Sequence, residues 1–485
     1  MRRLVSNSAV YGLGSVANQA VAFLLLPLYT RYLTPTDYGA LALVNTAGSI
    51  LIFTAALGIH SGMIRVFFQY VTPEERQRVA STALLFAATL AFLVGVSLIL
   101  AGRWVVPLIF DFPNASSYYP LAVCTFCASA VNLTSLAILQ VQQRPRAYVL
   151  ASVSGVFVSV GVSIQLVAFA RLGLFGVLVG QLAGVLTQLV IGLTASYAVI
   201  RGVFYAGALR RMLDFSVPLW PTNFSAWVLS MADRWTLKTF STLASVGLYA
   251  LGFRFGMILE TLFVQPFQQA WSPHLFASLE DPGYREMIAR ALDYYVFVGA
   301  FIALGLGLFA GDAIRLIADP AFGGSEPIVF WIAVGSLLRG TSTVTVASIH
   351  IEGKTHYSAG VYVAATLLNL VLLRLLVPDF GIYGAAAALL VTYAAVTAMF
   401  LAIARRLHPI PYRLSRVFLG LVAAVSLYCA SRLFPSSTDA ASLGLKILLL
   451  ASFPAVLLVA GYFPRGDLEA IRSALARRVA RIRVR

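Results

Sequence analysis

The chain has 485 residues, 60% of them hydrophobic and only 11% charged, with a formal net charge of +16. A soluble domain normally carries about 25% charged residues, so this composition excludes that class and indicates a polytopic membrane protein. Long apolar runs without two-residue alternation exclude a β-barrel and leave helices as the spanning elements.

Fourteen spans are expected, at about 8–30, 39–63, 79–101, 118–139, 147–170, 174–200, 214–239, 245–269, 292–310, 327–349, 357–377, 381–404, 415–433 and 443–463. A 24-residue helix is ~36 Å long, enough for a ~30 Å hydrocarbon core with tilt. The first run, from Ser8 to Tyr29, is too long for a signal-peptide core and has no small-residue cleavage site after it, so it is read as a span. Cys124, Cys127 and Cys429 all lie in apolar runs. No second Cys or His pair accompanies the Cys124–Cys127 spacing, so packed thiols are expected rather than a metal or redox site.

Cationic residues set the orientation. With a cytoplasmic N-terminus, the cytoplasmic loops and tails hold 24 of the 35 Lys and Arg, the opposite side holds eight, and Arg234, Arg254 and Arg339 lie within spans. Fourteen spans then place both termini in the cytoplasm. In the tail, Ile471, Leu475, Val479 and Ile482 share a helical face, with Arg477, Arg478, Arg481 and Arg485 around them. This pattern fits a basic amphipathic helix on an anionic leaflet, or a simple topology anchor. No nucleic-acid-binding fold is present. No loop exceeds about thirty residues, and no GxxxxGK[ST] phosphate loop occurs, which removes ATP-driven pumping by this chain. No nucleophile or metal constellation is found, and an enzyme is not expected.

A repeat runs through the chain at an offset of 208 residues. Gly39, Ala42 and Leu43 recur as Gly247, Ala250 and Leu251; Gly173 and Gly176 recur as Gly381 and Gly384. Ser8 corresponds to Ser216, and Arg146 to Lys354. A unit of six spans is even, so the copies share one orientation, related by an axis along the membrane normal. The expected organisation is an N-lobe at 1–208, a C-lobe at 209–410, two further spans at 411–464 and a basic cytoplasmic tail at 465–485. Two six-helix lobes around a cavity form a transporter architecture in which rocking alternates access. Stretches rich in Gly, Ala and Ser, Ala40–Ile50 and Ser152–Gly161, are read as close helix packing.

The opening SNSAVYGLGSVANQAVAFLLLPLYTRYLTPTDYGALAL resembles the polysaccharide-transporter (Wzx-type) flippases of the multidrug/oligosaccharidyl-lipid/polysaccharide exporter superfamily. The resemblance is carried by a polar-dotted first span, Pro27 near its end, Arg31-Tyr32-Leu33 at its exit and Tyr38-Gly39 at the start of span 2. It implies an all-α, V-shaped, two-lobed bundle in the bacterial inner membrane. It also implies translocation of an undecaprenyl-diphosphate-linked oligosaccharide from the cytoplasmic to the periplasmic leaflet. The family has no strict catalytic motif, so no residue role transfers by pattern.

Candidate residues follow from the chemistry of such a substrate. Arginine offers paired planar donors to a diphosphate, and sugars take amides, hydroxyls and aromatic faces. An ionisable group at the bilayer centre costs roughly 2.5–3.5 kcal/mol on insertion scales, so each one marks a candidate site. On span 7, Asn223, Ser230, Asp233, Arg234 and Lys238 fall within one broad stripe, and Trp220, Trp227 and Arg234 are seven apart. Pro218 and Pro221 predict a kink there. Arg254 on span 8 and Arg234 both lie ~8–14 Å deep in the outer half of the membrane. Arg339 lies near the middle of span 10, and Arg31 and Arg65 lie at span ends. Asp233 and Glu260 are candidate sites for a coupling cation, H+ or Na+, or structural partners of the arginines. Trp220 and Trp235 also fit an interfacial belt, Arg31 and Lys238 snorkelling charges, and Arg65 a positive-inside charge. Asn18, Gln19 and Asn45 fit interhelical hydrogen bonding as well as sugar contact, and His60 fits a packed polar residue. At the 208 offset Asp233 and Arg234 fall against Leu25 and Leu26, Arg254 against Thr46, Glu260 against Ile52 and Arg339 against Val131. The charges are therefore additions of the second lobe that the fold itself does not require.

Three other readings stay open: a lipid II flippase, a cation-coupled multidrug exporter, and a membrane glycan polymerase or ligase. The large external loop expected of the last is absent. The expected partners are the polyprenyl-diphosphate-linked glycan, membrane lipids and the glycosyltransferases and polymerase of the same pathway, with no nucleic acid. A monomer is expected, because the cavity forms within one chain, and no cofactor is expected beyond a coupling cation.

Overall fold

The structure, a computed structural model, describes residues 26–110, 112, 114–200, 203–352, 354, 356–434 and 440–462. Most of the expected first span, with Asn18 and Gln19, and the basic tail at 465–485 lie outside the described residues. All regular elements described are helices. Ten helical stretches among the described residues are long and apolar enough to cross a membrane.

The chain divides into two compact units, Met1–Ala250 with Ile317–Phe322, and Leu251–Leu316 with Gly323–Arg485. The first contains α1 (Leu26–Tyr32), α2 (Pro35–Ala56), α3 (Ile59–Phe67), α4 (Pro73–Leu100), α5 (Gly102–Ile109), α6 (Ala115–Val141), α7 (Pro145–Ile164), α8 (Gly173–Ser196), α9 (Ala206–Ser216) and α10 (Trp220–Phe240). The helix α11 (Leu243–Gly256) begins in this unit and ends in the second. The second unit continues with α12 (Gln265–Ala277), α13 (Tyr284–Ile317), α14 (Glu326–Thr345), α15 (Ala347–Ile351), α16 (His356–Leu407), α17 (Leu414–Ser431) and α18 (Ala440–Val459).

Several expected spans are broken, each for a local reason. Span 2 divides into α2 and α3 at Leu57 and Gly58, which both take left-handed backbone (φ 44° and 68°). The Gly58 carbonyl opens α3 by accepting from the Ser61 N–H at 2.9 Å, and the Ser216 hydroxyl adds a second bond to it at 3.0 Å. Span 7 divides at a 3₁₀ turn, Val217–Leu219, which contains Pro218. Span 8 passes through a π-helical turn, Glu260–Val264, that ends two residues before Pro266. Pro266 has no N–H to offer the carbonyl four residues back and its ring crowds that carbonyl, so the widened turn accommodates it. Spans 11 and 12 form one element, α16, bent at Gly381 (φ 52°, ψ −126°).

The 208-residue offset reappears in local geometry. Thr34 caps α2 by accepting from the Asp37 N–H at 3.2 Å, and Thr242 caps α11 by accepting from the Ser245 N–H at 3.1 Å. Gly173 and Gly381 share the same left-handed φ of 52°. At the crossing of α2 and α11, a Cβ on Gly39 would strike the Leu243 carbonyl, and a Cβ on Gly247 would strike the Pro35 carbonyl. Shifting either contact by 208 residues yields the other, so the crossing is self-complementary. Small residues also let α7 and α8 meet, Gly155 lying against Gly184 and Gln188, and Gly180 against Ser159 and Ser163. Asn132 on α6 donates to Gln188 on α8 at 2.9 Å. Cys124 and Cys429 are exposed on their helices and Cys127 is half-buried. Among the described residues no cluster of His, Cys, Asp and Glu could hold a metal ion.

In the second unit, α13 is bound to α17 and α18 by ion pairs near both of its ends. At one end Asp293 accepts from Arg416 at 2.9 Å, Glu286 pairs with Arg413, and the Tyr462 hydroxyl donates to the Asp293 carbonyl at 2.6 Å. At the other, Asp312 accepts from Lys446 at 2.6 Å, and Glu326 at the start of α14 accepts from Arg432 at 2.7 Å. Nineteen residues separate Asp293 from Asp312 on one helix, a rise of ~29 Å, which matches the ~30 Å hydrocarbon core. The two aspartates thus mark the borders of the apolar belt. Between them Tyr428 stacks on Phe330 at 4.0 Å, and Phe453 packs on Phe297 and Phe301.

The glycine crossing carries a prediction. The obstructing atoms at Gly39 and Gly247 are backbone, which cannot rotate away, so Gly39→Ala and Gly247→Ala should each cost about 1–3 kcal/mol. Because the two sites touch, the double variant should lose less than the sum. Thermal unfolding of the purified protein in detergent measures both effects.

Candidate functional site

Within the first unit, the hairpin of α10 and α11 turns at Ser241 and Thr242, which brings positions equidistant from the turn side by side. Asp233, eight residues before Ser241, and Tyr249, eight residues after it, face each other, and the Tyr249 hydroxyl donates to Asp233 Oδ2 at 2.6 Å. The other carboxylate oxygen, Oδ1, accepts from the Arg234 guanidinium and the Arg234 backbone N–H, each at 2.8 Å. The same guanidinium nitrogen donates to the Ser230 carbonyl at 2.9 Å, and the guanidinium lies 5.8 Å from the Tyr249 ring centroid. Asp233 is 4% exposed and Arg234 7%. Both carboxylate oxygens are occupied and the pair is sealed. A buried ion pair is tolerated when further hydrogen bonds complete it, as here. This arrangement is a closed, structural one.

The second unit holds a pair of different character. Glu260, the first residue of the π turn, is 2% exposed and accepts from Arg339 on α14 through Oε1. Its Oε2 is buried without a partner, and so is the hydroxyl of Tyr295 on α13. Tyr295 is held by ring contacts with Phe263 at 5.0 Å and Phe267 at 4.7 Å, and its hydroxyl reaches over Gly340, where any side chain would block it. The Arg339 side chain is 36% exposed. A guanidinium has five N–H donors; Glu260 engages one nitrogen of this one, and Tyr393 and Tyr362 also lie within its electrostatic reach.

The remaining candidates are dispersed. The Trp227 indole N–H donates to Ser49 Oγ on α2 at 2.7 Å, and its ring stacks with Phe224 at 6.0 Å, which in turn stacks on Trp220 at 5.1 Å. Asn223 lies on α10, its side chain outside the described part of the structure. Lys238 is half-buried in the last turn of α10, and Arg254 is half-buried on α11. Arg31 is exposed at the end of α1. Arg65 is exposed at the end of α3, its guanidinium 4.4 Å from the Phe215 ring centroid. The structure therefore joins Asp233 with Arg234 and Glu260 with Arg339, each pair within its own unit. Sequence reasoning missed Tyr249 and Tyr295. Counting outward from the turn would have found Tyr249; nothing in the sequence marks Tyr295.

Solved structures share this fold. The lipid II flippase MurJ in an inward closed conformation superposes with a TM-score of 0.73 at 11% identity, covering 93% of this chain and 98% of MurJ. A multidrug resistance MATE family transporter of the MOP superfamily, inward-facing, superposes with a TM-score of 0.66 at 15% identity, covering 83% of this chain and 96% of that one. The class is thus a multi-pass helical membrane protein that shares its fold with that flippase and that transporter. Residues 28–321 match the model of the family described as polysaccharide biosynthesis protein, and the chain belongs to that family. It is also 20% identical over 378 residues to Lsg locus putative protein 1 of Haemophilus influenzae (strain ATCC 51907 / DSM 11121 / KW20 / Rd), covering 76% of this chain and 89% of that protein. The resemblance of the opening residues points to the same family.

Breaking the closed pair from one side tests its role. Asp233→Asn strands a buried guanidinium and should destabilise the protein by about 3–5 kcal/mol, whereas Asp233→Asn with Arg234→Met should recover most of the loss. Thermal melting monitored by size-exclusion chromatography separates the two outcomes.

Proposed function

We propose that this protein is a flippase that carries a polyprenyl-diphosphate-linked oligosaccharide across the bacterial inner membrane by alternating access, for surface polysaccharide synthesis. Membership of a polysaccharide biosynthesis family on a flippase fold supports this reading. The observation that carries it is Arg339, a half-open guanidinium inside an apolar helix, oriented by the buried carboxylate of Glu260. Its assigned role is to bind a diphosphate oxygen. Arg254 is assigned as a second cation for the same headgroup, whereas Arg234 serves the fold.

The charge pattern favours an anionic cargo over a cationic drug. Asp233 and Glu260, the acids set deep in apolar runs, are each engaged by an arginine. We assign the cytoplasm to the end of α13 that carries Glu286 and Asp293, and with it both chain termini.

The test is translocation in proteoliposomes, read as loss of accessibility of a lipid-linked oligosaccharide to an external glycosidase. Removing Arg339 alone would strand Glu260, so the informative variant is Arg339→Ala with Glu260→Gln. It should fold and translocate about tenfold or more slowly, the scale of one lost charge-assisted contact. Arg339→Lys, which keeps charge but loses the fork, should fall between. A wild-type rate in the double variant would sink the assignment.

A further inference from the structure

The segment that follows the π turn has two amphipathic patterns facing one another across a short loop. On α12, Phe267, Trp271 and His274 recur at four- and three-residue spacing and share a face. Phe267 and Trp271 lie with ring planes 12° apart and centroids at 5.7 Å, and His274 follows at 6.3 Å from Trp271. On α13, Glu286, Arg290 and Tyr294 recur every four residues and share another. Between these faces lies a cleft of about 690 Å³, within the second unit. Small-molecule sites typically span ~300–1,000 Å³.

We infer that this cleft binds glycosyl rings of the lipid-linked glycan before translocation, an inference that rests on the flippase reading above. Three observations select a sugar. First, Trp271 is 5% exposed and its indole N–H is buried without an acceptor. A buried donor without a partner costs about 1–3 kcal/mol, which a ligand hydroxyl would relieve. A hydrocarbon tail would leave it unsatisfied. Second, the opposite wall carries both signs, with Glu286 accepting from Arg290 Nε at 3.3 Å and from Arg413 behind it. A diphosphate would meet the Glu286 carboxylate, whereas sugar hydroxyls both donate to it and accept from Arg290. Third, the level is right. Asp293 marks one border of the apolar belt, and Arg290 and Glu286 stand about one and two turns beyond it. That is the interfacial layer, where the glycan of a membrane-anchored lipid lies. Sugar C–H faces take the aromatic wall and sugar hydroxyls take the charged one.

Binding is measured on the full chain in nanodiscs by saturation-transfer NMR and calorimetry. The probe is the free oligosaccharide released by mild acid from the host's lipid-linked pool. Farnesyl diphosphate, which has a headgroup and a tail but no sugar, is the counter-probe. Arg290→Gln, at a surface position, and Ala270→Trp, which fills the cleft from an exposed position, should each weaken oligosaccharide binding about tenfold. Trp271→Phe, which keeps the stacked ring and removes the N–H, should weaken it about threefold to tenfold. No sugar binding by the wild type, equal binding by all three cleft variants, or displacement of the sugar from the cleft by farnesyl diphosphate would overturn the inference. If the wild type translocates while the cleft variants bind sugar unchanged, the cleft fails alone. If the wild type does not translocate, the flippase reading fails with it.

Discussion

Inside a bilayer a polar group has no water to turn to, and this chain is organised by that constraint. Helices answer it for the backbone, and every departure from the regular helix must be repaid locally. The Thr34 and Thr72 capping boxes cover helix starts, and the π turn absorbs the carbonyl that Pro266 cannot serve. Lipid tails are as apolar as leucine, so helix association must rest on close packing instead of water exclusion. Glycine supplies it at the crossing of Gly39 and Gly247 and along α7 and α8.

The same constraint explains why the two in-span ion pairs differ. Asp233 can reach three donors without leaving its hairpin, so its charge is cancelled where it stands and Arg234 has no surface left to offer. Glu260 cannot complete itself: its second oxygen has no donor, and its partner Arg339 keeps a side chain 36% exposed. A pair completed by the fold gives stability. A pair left incomplete leaves a buried oxygen without a donor, at a cost the fold does not offset. Charge inside an apolar helix is therefore a poor guide to function until its partners are known.

Much of the fold was legible because it follows from composition and period. Apolar run length located the helices, and the 208-residue offset that paired Gly173 with Gly381 is met again in their shared φ; the caps at Thr34 and Thr242, which sequence reasoning missed as a pair, stand at the same offset. The breaks were less legible. Leu57-Gly58 interrupts an apolar run without any change in hydropathy, so a continuous span 2 was expected and two helices are found. At the site, the residue types were legible and the pairings only in part. Asp233 and Tyr249 are related by a turn, which sequence spacing encodes. Glu260 and Arg339 are 79 residues apart, and their meeting depends on how α14 packs against the π turn, which no local pattern records.

The repeat makes the functional asymmetry sharper than either half alone. Cap, crossing glycine and left-handed glycine recur in both copies, so these features belong to the fold. At the 208-residue offset the charged positions correspond to Leu25, Leu26, Thr46, Ile52 and Val131 of the first copy, so the fold is indifferent to them. Selection for stability alone would favour the apolar versions, because a well-packed apolar pair is commonly as stable as a buried ion pair or more so. A charge kept in one copy and absent from the other has to be maintained by something outside the fold. For Asp233 and Arg234 that argument weakens, since the pair completes itself. For Glu260 and Arg339 it holds in full, which is why the incomplete pair, and not the more buried one, is where an anionic cargo is best sought.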